Sequence, residues 1–204
     1  MTNKNSTRTV KMVQMAILAA IMLLMAFTPI GYLKTAGIEI SFMMIPVVVG
    51  AIVIGPGAGA ILGGVFGATS FIQCFGMSVF GAALLSINPF YTFIVCMIPR
   101  ILMGWLTGLV FKALNKTGRS KLVSFGVSSL SGALFNTIFF MTFLIVLFGN
   151  TEYIKSFQGD LGLIPFILAF VGINGLIEAI VCFVAGAAIS RGLVRYITGK
   201  LYNS

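Results

Sequence analysis

The stretch "FIVCMIPRILMGWL", residues 93–106, places one arginine, Arg100, inside a run that is otherwise free of charge from Pro89 to Phe111. A run of 23 residues with this composition is long enough to cross a bilayer core, which takes about 20. An arginine at that depth costs a few kcal/mol, about 2.5–3.5 on insertion scales, and therefore calls for a partner. Two questions follow: how many such runs the chain holds, and what Arg100 meets among them.

The rest of the chain repeats the pattern. Of 204 residues, 59% are hydrophobic and 8% charged, against about 25% charged in soluble domains. The composition predicts an all-α membrane protein forming one domain over residues 1–204, with too little polar sequence for a soluble one. Spans are expected at 10–28, 38–54, 56–73, 89–111, 122–148 and 161–189. Turn-rich breaks separate them, among them "GPG" at 55–57 and "NPFY" at 88–91. Pro56 and Pro89 stand where a first helical turn tolerates proline. The first run has a basic flank (Lys4, Arg8, Lys11) but no small-residue cleavage site, so it reads as a span rather than a removable signal. Cys74, Cys96 and Cys182 lie in apolar context without a CxxC pair and read as free packing thiols. With no histidine and four acids, the chain offers little for a metal site, and no cofactor is expected.

Six spans return both termini to one side. Ten of the 13 Lys and Arg then share that side: Lys4, Arg8, Lys11, Lys112, Lys116, Arg119, Lys121, Arg191, Arg195 and Lys200. Only Lys34 and Lys155 fall opposite. The positive-inside rule makes the basic side cytoplasmic and the protein a multi-pass component of the cell membrane. The net charge of +9 is thus accounted for by topology and does not point to nucleic acid. In "GPGAGAILGGVFGATS" the glycines at 55, 59, 63 and 67 recur every four residues, and no GK[ST] follows. They read as a small-residue stripe for close helix packing rather than a nucleotide loop. Energy for any transport must then come from another subunit or from an ion gradient.

Polar residues inside spans are the functional candidates. Counted from the proposed outer ends, Arg100 lies 11 residues in, Asn136 lies 12 in and Asn174 lies 13 in. At 1.5 Å per residue this is a shared depth of roughly 17–20 Å. Glu178 lies one turn beyond Asn174 on the same side of its helix. Asn88 and Tyr91 stand at the outer mouth, and Gln73 closes the third span. Two readings stay open. Arg100 and Glu178 form a buried structural ion pair with the asparagines bonding between helices, or these groups line a ligand cavity open to the outside. The uncharged connection "CFGMSVFGAALLSI", residues 74–87, is too apolar for a solvated loop and too short for a span. It suits a lid over the outer mouth, with Gly76 and Gly81 permitting its movement. Enzymatic signatures are missing: no HExxH, no GxSxG, and no histidine to activate a serine.

Six short helices in about 200 residues, cytoplasmic termini and no ATPase motif resemble the substrate-binding S component of an energy-coupling factor (ECF) vitamin transporter. The resemblance extends over essentially the whole chain. Ala16 and Ala20, in "AILAA", fit the AxxxA pattern that in this family seats the long helices of a shared T component; two alanines on one face make a flat seat for another helix. The resemblance implies a T component and two ATPases as partners, and capture of a water-soluble vitamin from outside. "IPVVVGAIVIGPGAGAILGGVFGATSFI" at 45–72 with "PRILMG" at 99–104 is similar to the S components for pantothenate, riboflavin and cobalamin. Pantothenate is the preferred substrate, because a small anion suits a cavity holding Arg100. A self-sufficient ion-coupled carrier acting through Glu178 is the alternative, but no inverted repeat supports it. An assembly factor without transport is a third and weaker one.

Overall fold

The computed structural model describes residues 4–28, 32–35, 38–117, 121–158, 165 and 175–193. These residues are helical apart from one antiparallel strand pair and the connecting turns. The elements are α1 (Lys4–Phe27), β1 (Tyr32–Thr35), β2 (Ile38–Ser41), α2 (Met44–Val53), α3 (Pro56–Gln73), α4 (Val79–Ile87), α5 (Pro89–Lys116), α6 (Lys121–Phe148) and α7 (Glu152–Gln158). Gly175–Leu193 forms α8, with a π-helical segment at Cys182–Gly186.

Among the described residues, four helices are long and apolar enough to cross a membrane: Arg8–Phe27 within α1, Pro89–Lys116, Val123–Phe148 within α6, and Gly175–Leu193. The expected span at 56–73 coincides with α3, but the glycines at 57, 59, 63, 64 and 67 lower its hydropathy. The span expected over 38–54 requires correction. Ile38-Glu39-Ile40-Ser41 alternates apolar and polar residues, the period of a strand, and pairs with Tyr32–Thr35 in the register Leu33↔Ile40 and Lys34↔Glu39. What remains is the ten-residue α2. It is apolar all round, as fits a helix enclosed on every side: α1, α3, α5, α6 and α8 pack about it, and Met44 and Pro46–Ile52 are buried. The connection at 74–87 is likewise more ordered than a loop. Ser78 caps α4, its hydroxyl accepting from the Gly81 N–H at 3.2 Å.

The glycine stripe packs as expected. A Cβ at Gly59 would strike the Gly104 carbonyl, one at Gly63 the Arg100 carbonyl, and one at Gly67 the Cys96 carbonyl at 2.8 Å. Gly104 and Gly108 answer from α5, against Gly59 and Pro56. The α3–α5 seam is thus a backbone-to-backbone contact that fixes where Arg100 leaves its helix.

Two apolar clusters result. The central one gathers Met22, Val47, Val48, Leu62, Phe66, Met103 and Cys182 around α2. The second joins Leu84 of α4, Val95 of α5, Met141, Leu144 and Phe148 of α6, and Ile154 of α7, with Phe80 and Tyr153 packed against it. It caps the end of the bundle opposite Arg8, Lys112, Lys116 and Arg191. Cys74 and Cys96 meet beneath this cap with their sulfurs 3.9 Å apart, and Cys74, Cys96 and Cys182 are all free thiols.

Candidate functional site

Arg100 sits between the two clusters. Its guanidinium carbon lies 5.6 Å from the centre of the Phe66 ring, a member of the central cluster, and 4.8 Å from the Phe140 ring, which belongs with the cap. Both are within reach of a cation–π contact. The sequence next to it explains the posture. Pro99 lies inside α5; it has no N–H, so the carbonyl four residues back, on Val95, loses its helical donor. Arg100 supplies the replacement: its Nη1 donates to the Val95 oxygen at 2.6 Å. The side chain therefore runs back along α5 towards the cap, as long helical side chains do, and the charge lies about one turn nearer the capped end than its Cα.

That bond uses one of the five N–H donors of a guanidinium. Arg100 Nε is buried and has no hydrogen-bond partner among the described residues. No carboxylate oxygen among those residues lies within 4.0 Å of the guanidinium, so the described structure contains no Arg100–Glu178 ion pair. Glu178 has a different partner: its Oε1 accepts the backbone N–H of Ser41 at 2.9 Å. This holds the end of β2 against α8. The two residues are 137 positions apart, and no local signal in the sequence connects them.

Asn136 stands one turn from Phe140 on α6, and its Oδ1 is buried without a partner among the described residues. Arg100 Nε and Asn136 Oδ1 are thus an unfilled donor and an unfilled acceptor, both buried. Asn174 lies outside the described residues. Gln73 is buried beneath the cap, its Nε2 donating at 2.7 Å to the Ala26 carbonyl, one of the last in α1, where helical donors run out. Asn88 is the N-cap of α5, accepting from the Tyr91 N–H at 3.1 Å, a role its place before Pro89 could have announced. Tyr91 is exposed and presents its ring edge-on to Phe148, with centroids 6.1 Å apart. Of the seven residues the sequence singled out, Arg100 and Asn136 keep a buried polar atom without a partner among the described residues, while Gln73, Asn88 and Tyr91 have bonding or packing roles of their own near the capped end. The role of Pro99 was missed, although it adjoins Arg100.

On α1, Ala16 and Ala20 are exposed, in line with Val13, Ile17 and Leu24, on the face opposite the buried Met22 and Ala26. The pair does not serve the protein's own core.

Comparison with known proteins bears on all of this. The family profile of the ECF transporter substrate-specific component matches residues 10–190. The pantothenate transporter PanT of Leuconostoc mesenteroides subsp. mesenteroides is 32% identical over 150 residues, 69% of each chain. The pantothenic acid transporter PanT of Lactococcus lactis subsp. cremoris is 30% identical over 122 residues, 54% of this chain and 59% of that protein. The match to the latter therefore spans less than two thirds of its length.

Proposed function

Because the chain belongs to the substrate-specific components of ECF transporters, we propose that it is a vitamin-binding transport subunit that takes pantothenate from outside the cell and passes it inward when partner ATPases drive a T component docked on Ala16 and Ala20. The observation that carries the substrate reading is that two buried polar atoms within the spans, Arg100 Nε and Asn136 Oδ1, have no partner among the described residues. Leaving a buried donor or acceptor unmade costs about 1–3 kcal/mol, and a ligand with complementary groups relieves it. Pantothenate has them: a carboxylate to accept from Arg100, and hydroxyl and amide hydrogens to donate to Asn136. A charge-assisted bond to a guanidinium is also stronger than a neutral one. Two relatives named for pantothenate transport favour the same vitamin over riboflavin or cobalamin.

In this reading the basic end of the bundle is cytoplasmic, six spans cross the plasma membrane with α2 as the short central one, and the cap of α4 and α7 is the gate. Lifting the cap uncovers Phe140, which packs against it, and opens a way to Arg100. Gly76, at φ +122° in the turn before α4, is where the backbone has the freedom to move. Gly81 is not: a Cβ there would meet Cys74 Sγ at 2.6 Å, so it is a packing glycine.

The test is direct. The protein purified in detergent without partner subunits should release pantothenate on denaturation, identified by mass spectrometry. A preparation that carries a different vitamin, or that neither retains nor rebinds pantothenate, would refute the substrate assignment.

A further inference from the structure

At the basic end, the α2–α3 turn and the last turns of α5 enclose an open groove of about 370 Å³. Ile54, Pro56 and Phe111 give it an apolar side; Lys112, Asn115 and Lys116 give it a polar rim. Both lysines are exposed, and neither has an ion-pair partner among the described residues. Nothing lies within 4 Å of where a Cβ would stand on Gly55 or Gly57, so the mouth is clear. Pro56, the first residue of α3, has no N–H; the N–H groups of Gly57 and Ala58 behind it have no helical acceptor and carry the positive end of the helix dipole. Cations on one wall, the positive end of the α3 dipole beside them and an apolar side are the recognition elements of an anionic lipid, since basic pockets at this level hold lipid phosphates.

We propose that this groove binds an anionic phospholipid of the leaflet at the basic end, with the phosphate between Lys112 and Lys116 at the start of α3 and the first acyl carbons along Ile54 and Phe111. The orientation proposed above serves only to name that leaflet as cytoplasmic. The site lies at the far end of the bundle from Arg100, so its failure would leave pantothenate binding untouched.

The test is thermal unfolding of the detergent-purified protein with added dioleoylphosphatidylglycerol, dioleoylphosphatidylcholine or glycerol 3-phosphate. Phosphatidylglycerol should raise the melting temperature by roughly 2–4 °C, the response of a chain this size to modest stabilisation. Lys112→Gln/Lys116→Gln should abolish the rise, and Lys11→Gln/Arg191→Gln, which removes the same charge elsewhere at that end, should retain it. An equal rise with phosphatidylcholine would overturn the proposal, as would an equal loss in both double variants. A rise reproduced by glycerol 3-phosphate would reassign the groove to free phosphate esters. If Lys112→Gln/Lys116→Gln keeps the lipid response but loses cellular uptake, the groove belongs to a partner subunit and the lipid is ruled out.

Discussion

Arg100 satisfies the Val95 carbonyl that Pro99 leaves without a donor, and in the proposed function it also offers donors to a ligand, two roles that a single substitution cannot separate. Arg100→Met should cost about 1–3 kcal/mol of stability, the penalty for a buried acceptor left unmade. In a Pro99→Ala background the backbone N–H restored by the substitution takes over the Val95 oxygen, so Arg100→Met should cost less by about 1 kcal/mol, as contacting residues couple. Pantothenate binding should fall in both backgrounds by about 1.5–3 kcal/mol, the worth of a charged hydrogen bond. Thermal melts with titration calorimetry of the four proteins decide it: an equal stability loss in both backgrounds would remove Val95 from the account. The need for a partner at Arg100 was legible in the sequence, because a lone charge in a run of 23 residues is conspicuous. The nature of the partner was less so. The carboxylate that looked available, Glu178, is bonded to the Ser41 N–H, a contact set by how β2 returns to α8. Glu178→Leu should therefore loosen that attachment and cost about 1–3 kcal/mol by stranding an N–H, whereas Glu178→Gln keeps an acceptor and should cost less.

Among the elements, α3 was the most readable, since its proline start and four-residue glycine period belong to one helix and need no distant information. Its seam with α5 contains its own control. Gly63→Ala would press a methyl into the Arg100 backbone, whereas Gly64→Ala meets only the side chain of Ile101 at 3.8 Å. Gly63→Ala should destabilise by about 1–3 kcal/mol, as overpacking does, and should weaken pantothenate binding by displacing Arg100. Gly64→Ala should be neutral or mildly stabilising. Similar melting temperatures for the two variants would contradict a backbone-close seam. Residues 38–41 and 74–87 were harder, because apolar content masked a period-two pattern in the first and the Ser78 cap in the second. The cap formed by α4 leads to a further expectation. A fluorophore at Met77, which is exposed in this structure, should become less accessible to a soluble quencher as pantothenate saturates the protein. Unchanged quenching would remove α4 from the gating role.

For the whole molecule, the placement of basic residues gives the bundle its proposed direction, and an apolar composition points to a membrane; neither specified that a ten-residue helix would become the centre around which the others pack. The exposed face of α1 belongs to this scale, since the docking proposed for Ala16 and Ala20 involves another subunit. Ala16→Trp or Ala20→Trp should abolish cellular uptake while the purified variant still binds pantothenate; loss of both activities would return the face to an internal role. The central claim is that the isolated chain binds a carboxylate vitamin through Arg100. It is tested most directly by calorimetric titration of the purified protein with pantothenate and with panthenol, in which an alcohol replaces the carboxylate. Loss of one charged hydrogen bond predicts panthenol binding weaker by at least about tenfold, with Arg100→Met/Pro99→Ala binding the two alike. Equal affinity of the unaltered protein for pantothenate and panthenol would contradict the account.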